Sequence, residues 1–167
     1  MKIDKLKTLI IGLGQIGYSN AEYMTSRELR VDGCDLNKNA TANALDNGVI
    51  RREAASFEGY DFYVICVSTH DPQNMLQPSF SGLFQTAHRL SYEGKKDALV
   101  TIESTVTKGT SRRVIEILEH RLHVAHAPHR FYAQEKEEHG VRQVRVLGGC
   151  DDCCTRRALH FYKRVLD

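Results

Sequence analysis

Thr8-Leu9-Ile10-Ile11-Gly12-Leu13-Gly14-Gln15-Ile16-Gly17 is the stretch on which the fold turns. An apolar run that stops at glycine reads as a buried strand. From Gln15 to about Leu29, Ile16, Ala21, Met24 and Leu29 fall on one helical face. A glycine turn between strand and helix has a mechanism. Gly12 permits the tight turn, Gly14 lets backbone approach a pyrophosphate, and Gly17 lets the helix lie close to the strand. The helix N-terminus, with the N–H groups around Gln15 and Ile16, offers the positive dipole end to phosphate. A second strand, Arg30 to Asp35, places a carboxylate at its end. An acid there accepts hydrogen bonds from a ribose 2′-hydroxyl and repels a 2′-phosphate, so the pattern favours NAD over NADP.

Working outward, the same alternation continues. Asn37 to Asn47 reads as helix, with Ala40, Ala44 and Leu45 inward and Gly48 as its stop. Asp61 to Val67 is the clearest strand, followed by a loop, Thr69 to Ser79, containing Pro72 and Pro78. Phe80 to Tyr92 reads as helix, Ala98 to Ile102 as strand, and Ser111 to His120 as helix with Val114, Ile117 and Leu118 on one stripe. Leu122 to Ala125 and Val144 to Leu147 are short strands; Asp151 to Asp167 is a terminal helix with Leu159, Tyr162 and Leu166 on one face. Strands alternating with amphipathic helices require βαβ crossovers. The expected architecture is therefore α/β: a Rossmann-type doubly wound parallel sheet of about six strands, with helices on both faces. No Ser/Gly-rich linker divides the chain, so residues 1–167 are expected to form a single dinucleotide-binding domain.

Composition narrows the function classes. Of 167 residues, 23 are Lys or Arg and 21 Asp or Glu, a net charge of +2 that gives no electrostatic reason for nucleic-acid binding. No apolar run reaches the ~20 residues of a membrane helix, so no membrane partner is expected. Charges at Lys2, Asp4, Lys5 and Lys7 replace a signal peptide's apolar core, and five cysteines without framework spacing read as reduced thiols, so the expected location is cytoplasmic.

Two constellations invite other chemistry. His120, His123, His126 and His129 recur every third residue, but a spacing of three on a strand points to opposite faces, against a shared metal. Cys150, Cys153 and Cys154 resemble half a zinc knuckle without a second pair, and Asp151 and Asp152 would raise their thiol pKa values. No metal is expected. Phe131-Tyr132 and Phe161-Tyr162 read as core or interface residues, and Arg112-Arg113 and Arg156-Arg157 as solvated helix faces.

Several segments match one family in order. Asp61-Phe62-Tyr63-Val64-Ile65-Cys66-Val67-Ser68-Thr69 resembles the strand and small-residue turn that flank the cofactor in UDP-glucose/GDP-mannose dehydrogenases. Glu103-Ser104-Thr105-Val106-Thr107-Lys108-Gly109-Thr110 resembles their S-T-V-x-x-G-T segment, the most specific match. Ala127-Pro128-His129-Arg130 resembles their P-E-R or P-E-F segment, and Val146-Leu147-Gly148-Gly149 the strand that closes their NAD-binding domain. The Arg after the Pro-x pair is nearest to the UDP-N-acetyl-mannosamine branch. The likeness covers nearly the whole chain but only the N-terminal third of such an enzyme.

The resemblance implies NAD as cofactor, held by Gly12, Gly14, Gln15, Ile16, Gly17, Asp35, Val67, Ser68, Thr69, Ser104 and Thr105. It implies a Thr105 hydroxyl that orients a catalytic water. The family oxidises a nucleotide sugar's 6-hydroxyl to a carboxylate, using a cysteine nucleophile and a lysine and an acid from the middle domain, with a C-terminal domain for the nucleotide. This chain ends at Asp167, before the segments that carry them. His129 stands where the family has a catalytic glutamate, and as a neutral histidine it is a candidate proton acceptor near pH 7. Ala133 replaces a second glutamate, and Ala40 a basic residue at the adenosine ribose.

The expected function is thus an NAD(H)-binding domain of a nucleotide-sugar 6-dehydrogenase-like oxidoreductase, without catalysis on its own. A nucleotide sugar would be a partner only when the missing domains are joined. The alternatives are an NAD(H)-sensing regulatory module and a small dehydrogenase working between two copies. The terminal helix is expected to carry an exposed apolar stripe for a homo-oligomer or partner subunit.

Overall fold

The computed structural model describes residues 6–130, 133–135 and 140–166; Phe131-Tyr132, with their expected core or interface role, lie outside these, as do Met1 to Lys5. The elements run β1 (Lys7–Ile11), α1 (Gln15–Ser26), β2 (Arg30–Cys34), α2 (Lys38–Asp46), β3 (Phe62–Ile65), α3 (Ser81–Glu93), β4 (Leu99–Ile102), α4 (Thr110–Ile117), β5 (His123–His126), β6 (Gly148–Gly149) and α5 (Asp152–Leu166). The strands form one sheet in the order β2-β1-β3-β4-β5-β6. The strand order reverses at β1/β3, the place where open α/β sheets open a ligand crevice.

Alternate residues of each strand bury into two cores. Ile10, Phe62, Val64, Leu99 and Ala125 meet Ala21 and Met24 of α1, Ala44 of α2 and Ala158, Phe161 and Val165 of α5 on one face. Leu9, Tyr63, Ile65, Val100, Ile102 and Val124 meet Leu83, Ala87 and Leu90 of α3 and Val114 and Leu118 of α4 on the other. Helices on both faces explain why β3 and β4 are buried at every position.

The sheet is parallel from β2 to β5, but β6 runs antiparallel, Gly148 opposite His126 and Gly149 opposite Ala125. The strand expected at Val144–Leu147 does not form. Val144 is 94% exposed, Arg145 turns inward, and pairing begins only at Gly148. Helix ends also shift for a backbone reason. Glu28 interrupts the segment after α1 at φ 62°, and Glu119 and His120 follow α4 at φ 49° and 55°, left-handed values that a helix does not continue through.

In α5 the inward face is Cys154, Ala158, Phe161, Tyr162 and Val165, an i, i+4, i+7, i+11 stripe with Tyr162 beside it. Leu159, expected on that face, is 43% exposed. The apolar stripe expected outward is therefore turned onto the protein's own sheet. No helix among the described residues is long and apolar enough to cross a membrane.

Candidate functional site

Parallel register sets the carboxyl ends of five strands level: Cys34 pairs Ile11, Ile11 pairs Ile65, Ile65 pairs Ile102, and Ile102 pairs His126. The residues singled out in the sequence follow these ends. Gly12–Gly17 follows β1, Asp35 follows β2, Val67–Thr69 follows β3, Ser104 and Thr105 follow β4, and His129 follows β5.

Gly12 has φ +94°, and a Cβ there would lie 2.6 Å from the Cys66 carbonyl oxygen at the end of β3. A Cβ on Gly17 would lie 1.8 Å from the Gly12 carbonyl oxygen. Both positions therefore exclude a side chain for internal packing reasons. Gly14 differs: a Cβ there would meet nothing within 4 Å. It is the N-cap of α1 and makes no side-chain cap, so the first-turn N–H groups lack a capping acceptor. An open, uncapped helix start beside a crevice is the arrangement that receives an anion.

Asp35 borders this turn. Its Oδ2 accepts the Leu13 N–H at 2.6 Å and its Oδ1 accepts the Asn37 N–H at 2.7 Å. Each oxygen retains a second lone pair, so the carboxylate can fasten the turn and still accept from a ribose hydroxyl. The basic side chain nearest in sequence, Lys38, is paired with Glu53 at 2.5 Å, and Ala40 is half-buried.

Across the switch point, Ser104 donates its hydroxyl to the Val67 carbonyl at 2.6 Å, tying the turn after β4 to the turn after β3. Val67 is half-buried, Thr69 buried, and Ser68 and Thr105 exposed, leaving the Ser68 and Thr105 side chains open to solvent.

Beneath these loops lies a buried polar network that the sequence reading missed. Glu103, fully buried, accepts from Asn20 Nδ2 at 2.6 Å, Arg145 Nη1 at 2.8 Å and Tyr162 Oη at 2.5 Å. Arg145 Nη2 also donates to Asn20 Oδ1 at 3.1 Å, to the Val141 carbonyl at 3.1 Å and to His129 Nε2 at 2.8 Å. Arg145's side chain is only 5% exposed, so this is a desolvated ion pair sustained by its extra hydrogen bonds. Burial first, then Glu103, pushes the Tyr162 hydroxyl well above its ordinary pKa. The signal was present: Glu103 ends the apolar run Ala98–Ile102, and Arg145 interrupts Val144–Leu147, two opposite charges in apolar contexts.

This network corrects the picture of His129. Guanidinium only donates, so Nε2 is already an acceptor for Arg145. Burial, and secondarily the Arg145 charge, pushes the imidazole down to about 3. Near pH 7 this histidine is neutral and engaged inside the protein, a poor place for a proton from substrate. His123 and His126 point apart as expected: His123 Nδ1 meets Cys154 Sγ at 3.3 Å, and His126 Nε2 meets the Ser104 carbonyl at 3.2 Å. Burial raises the thiols of Cys34, to about 11, and of Cys66, which suits structural rather than nucleophilic cysteines.

No protein-family model matches the chain. Individual relatives do. UDP-N-acetyl-D-mannosamine dehydrogenase of Methanococcus maripaludis is 24% identical over 98% of this chain and 43% of its own length. The enzyme of the same name from Escherichia coli K12 is 26% identical over 95% of this chain and 45% of its own. Among solved structures, UDP-D-ManNAc dehydrogenase from Pyrococcus horikoshii superposes with a TM-score of 0.82 at 22% identity, over 97% of this chain and 45% of that one. The chain is therefore similar in sequence to UDP-N-acetyl-D-mannosamine dehydrogenases, as the resemblance implied, and it has the Rossmann-type fold. The chain spans less than half the length of these relatives, though more than the third expected from its segments.

Proposed function

We propose that this chain is the NAD(H)-binding domain of a nucleotide-sugar 6-dehydrogenase-like oxidoreductase and does not oxidise sugars by itself. The observation that carries the reading is the contrast among three glycines. Gly12 and Gly17 are required by packing, whereas Gly14 faces open space at an uncapped helix start. A packing-only turn gives no reason for that third glycine; a pyrophosphate lying against it does. Asp35 beside Leu13 supplies the acid that would hold a ribose diol and turn away a 2′-phosphate.

Bound NAD⁺ would supply the hydride acceptor. The chain's own residues would do the rest: Gly14, Gln15 and Ile16 present N–H groups to phosphate, Asp35 orients the adenosine ribose, and Val67–Thr69 with Ser104 and Thr105 line the nicotinamide side. Exposed Thr105 would supply the hydroxyl that orders water, the role the family resemblance implies for it. His129 is assigned to the buried network rather than to proton transfer. A sugar nucleotide bound only to this crevice would lose most of the ~7–11 kcal/mol that positioning can contribute to such a reaction.

Calorimetric titration with NAD⁺, NADH and NADP⁺ tests the binding, with both NAD forms expected to bind more tightly than NADP⁺. NADH formation with UDP-N-acetyl-mannosamine, UDP-glucose or GDP-mannose should match buffer alone. Turnover by the purified chain that disappears in Thr105→Ala would overturn the second half of the proposal. Equal affinity for NAD⁺ and NADP⁺ would overturn the cofactor assignment.

A further inference from the structure

At the opposite end of the sheet from the glycine turn, three elements bring soft ligands together. His123 opens β5, level with Leu99 at the start of β4. Cys150 directly follows β6, and Cys154 lies in the first turn of α5. Cys150 Sγ is 2.8 Å from Cys154 Sγ, and Cys154 Sγ is 3.3 Å from His123 Nδ1. Ligand atoms of Cys150, Asp151 and Cys154 lie within 4.8 Å of one another. The sequence shows only the cysteines; His123, from a different strand, supplies the nitrogen that the C-x-x-C-C pattern lacked.

We propose that Cys150, Cys154 and His123, with a carboxylate oxygen of Asp151, form a structural site for a thiophilic divalent ion of the Zn²⁺ class. Two thiolates, an imidazole and a carboxylate are the N/S/O donor set that such an ion prefers. Tetrahedral bonds of ~2.3 Å to sulfur and ~2.0–2.1 Å to nitrogen set ligand atoms roughly 3.5–4 Å apart. The Sγ–Sγ separation must therefore widen by about 1 Å, and His123, which touches Cys154 but lies outside the 4.8 Å group, must close on the other two ligands to admit the ion. Cys150 is exposed and free to swing outward, while buried Cys154 stays fixed between β5 and α5. Asp151 already accepts the Cys154 N–H through Oδ1 at 2.7 Å, which orients its carboxylate and leaves Oδ2 for the ion. Four protein ligands close the coordination sphere, the arrangement of a structural rather than a catalytic site. The ion would fasten the start of α5 to the edge of the sheet.

The test uses the full chain, reduced and freed of metal, titrated with Co²⁺ and then Zn²⁺. Wild type should take up one equivalent of Co²⁺ with intense visible d–d absorption and a thiolate-to-cobalt charge-transfer band, both displaced by Zn²⁺. Cys150→Ser, an exposed change that spares the core, should abolish the charge-transfer band or halve it and weaken binding at least tenfold. His123→Ala should weaken binding at least tenfold, and Cys153→Ser should behave as wild type. Weak octahedral cobalt spectra in the wild type would overturn the proposal, as would uptake unaffected by Cys150→Ser. So would a Cys150–Cys154 disulfide formed under mild peroxide by a reduced protein that takes up no metal, which would mark a redox pair instead. Thermal melting should rise with Zn²⁺ in the wild type and not in Cys150→Ser.

Discussion

The carboxylate of Asp35 receives the backbone N–H of Leu13 at 2.6 Å, so the residue proposed to select the cofactor also fastens the turn proposed to hold it. Recognition and local structure share one side chain.

Asp35→Ala should then do two things. NAD⁺ affinity should fall by on the order of 1–3 kcal/mol, the scale for hydrogen bonds to a charged group. The preference over NADP⁺ should shrink, and the melting temperature should drop because Leu13 and Asn37 lose their acceptor. Asp35→Asn, whose single amide oxygen can accept from Leu13 or from Asn37 but not both, should recover part of the stability and little of the discrimination. Calorimetry and thermal melting on the two variants separate the roles.

The glycines divide in the same way. Gly14→Val should fold with a modestly lower melting temperature, because a Cβ there meets no protein atom within 4 Å but valine caps a helix poorly, yet bind no NAD⁺. Gly17→Ala should fail in folding, because its Cβ would sit inside contact distance of the Gly12 carbonyl. Normal NAD⁺ binding by Gly14→Val would remove the case for a phosphate cradle.

Arg145→Met should leave Glu103 buried without its cation and cost roughly 3–5 kcal/mol in urea unfolding, the range for breaking one partner of a buried pair. The double variant Arg145→Met, Glu103→Gln should recover part of the loss, since no net charge then remains buried.

His129 gives a pH dependence with a definite sign. Its folded pKa lies near 3 and its ordinary value is 6.5, so between these the unfolded chain binds the extra proton. Its contribution is full above about pH 6.5 and is lost as pH falls towards 3, with a slope approaching ~1.4 kcal/mol per pH unit. His129→Gln, which keeps an acceptor for Arg145, should flatten the unfolding free energy between pH 6 and pH 4 relative to wild type. Identical slopes would mean that the imidazole is protonated in the fold.

What was legible in the sequence was whatever repeats locally. The runs Leu9–Ile11, Phe62–Ile65 and Leu99–Ile102 are apolar on both faces because helices cover both, and a window of five residues contains that information. Gly12, Gly14 and Gly17 were legible because their spacing has a steric cause. Glu103 with Arg145, and His123 with Cys154, are pairs between residues distant in sequence, and no local period connects them. The Val144–Leu147 segment misled for the same reason: it alternates like a strand, but Arg145 is drawn inward by the Glu103 carboxylate just past the end of β4. In α5, Leu159 matched one apolar spacing and the stripe from Cys154 to Val165 another, and only the sheet's position chose between them.

Glu103 also ties folding to the order of synthesis. The partners of its side chain come from Asn20 on α1, Arg145 ahead of β6 and Tyr162 on α5. A chain emerging from the ribosome exposes Asn20 and Glu103 well before Arg145 and Tyr162, so for that interval the acid has no cation to bury against. Domains tend to complete as units during translation, and here a residue made 42 positions after Glu103 supplies its counter-charge. A ribosome stalled before Arg145 would therefore carry a Glu103 whose carboxylate still needs water.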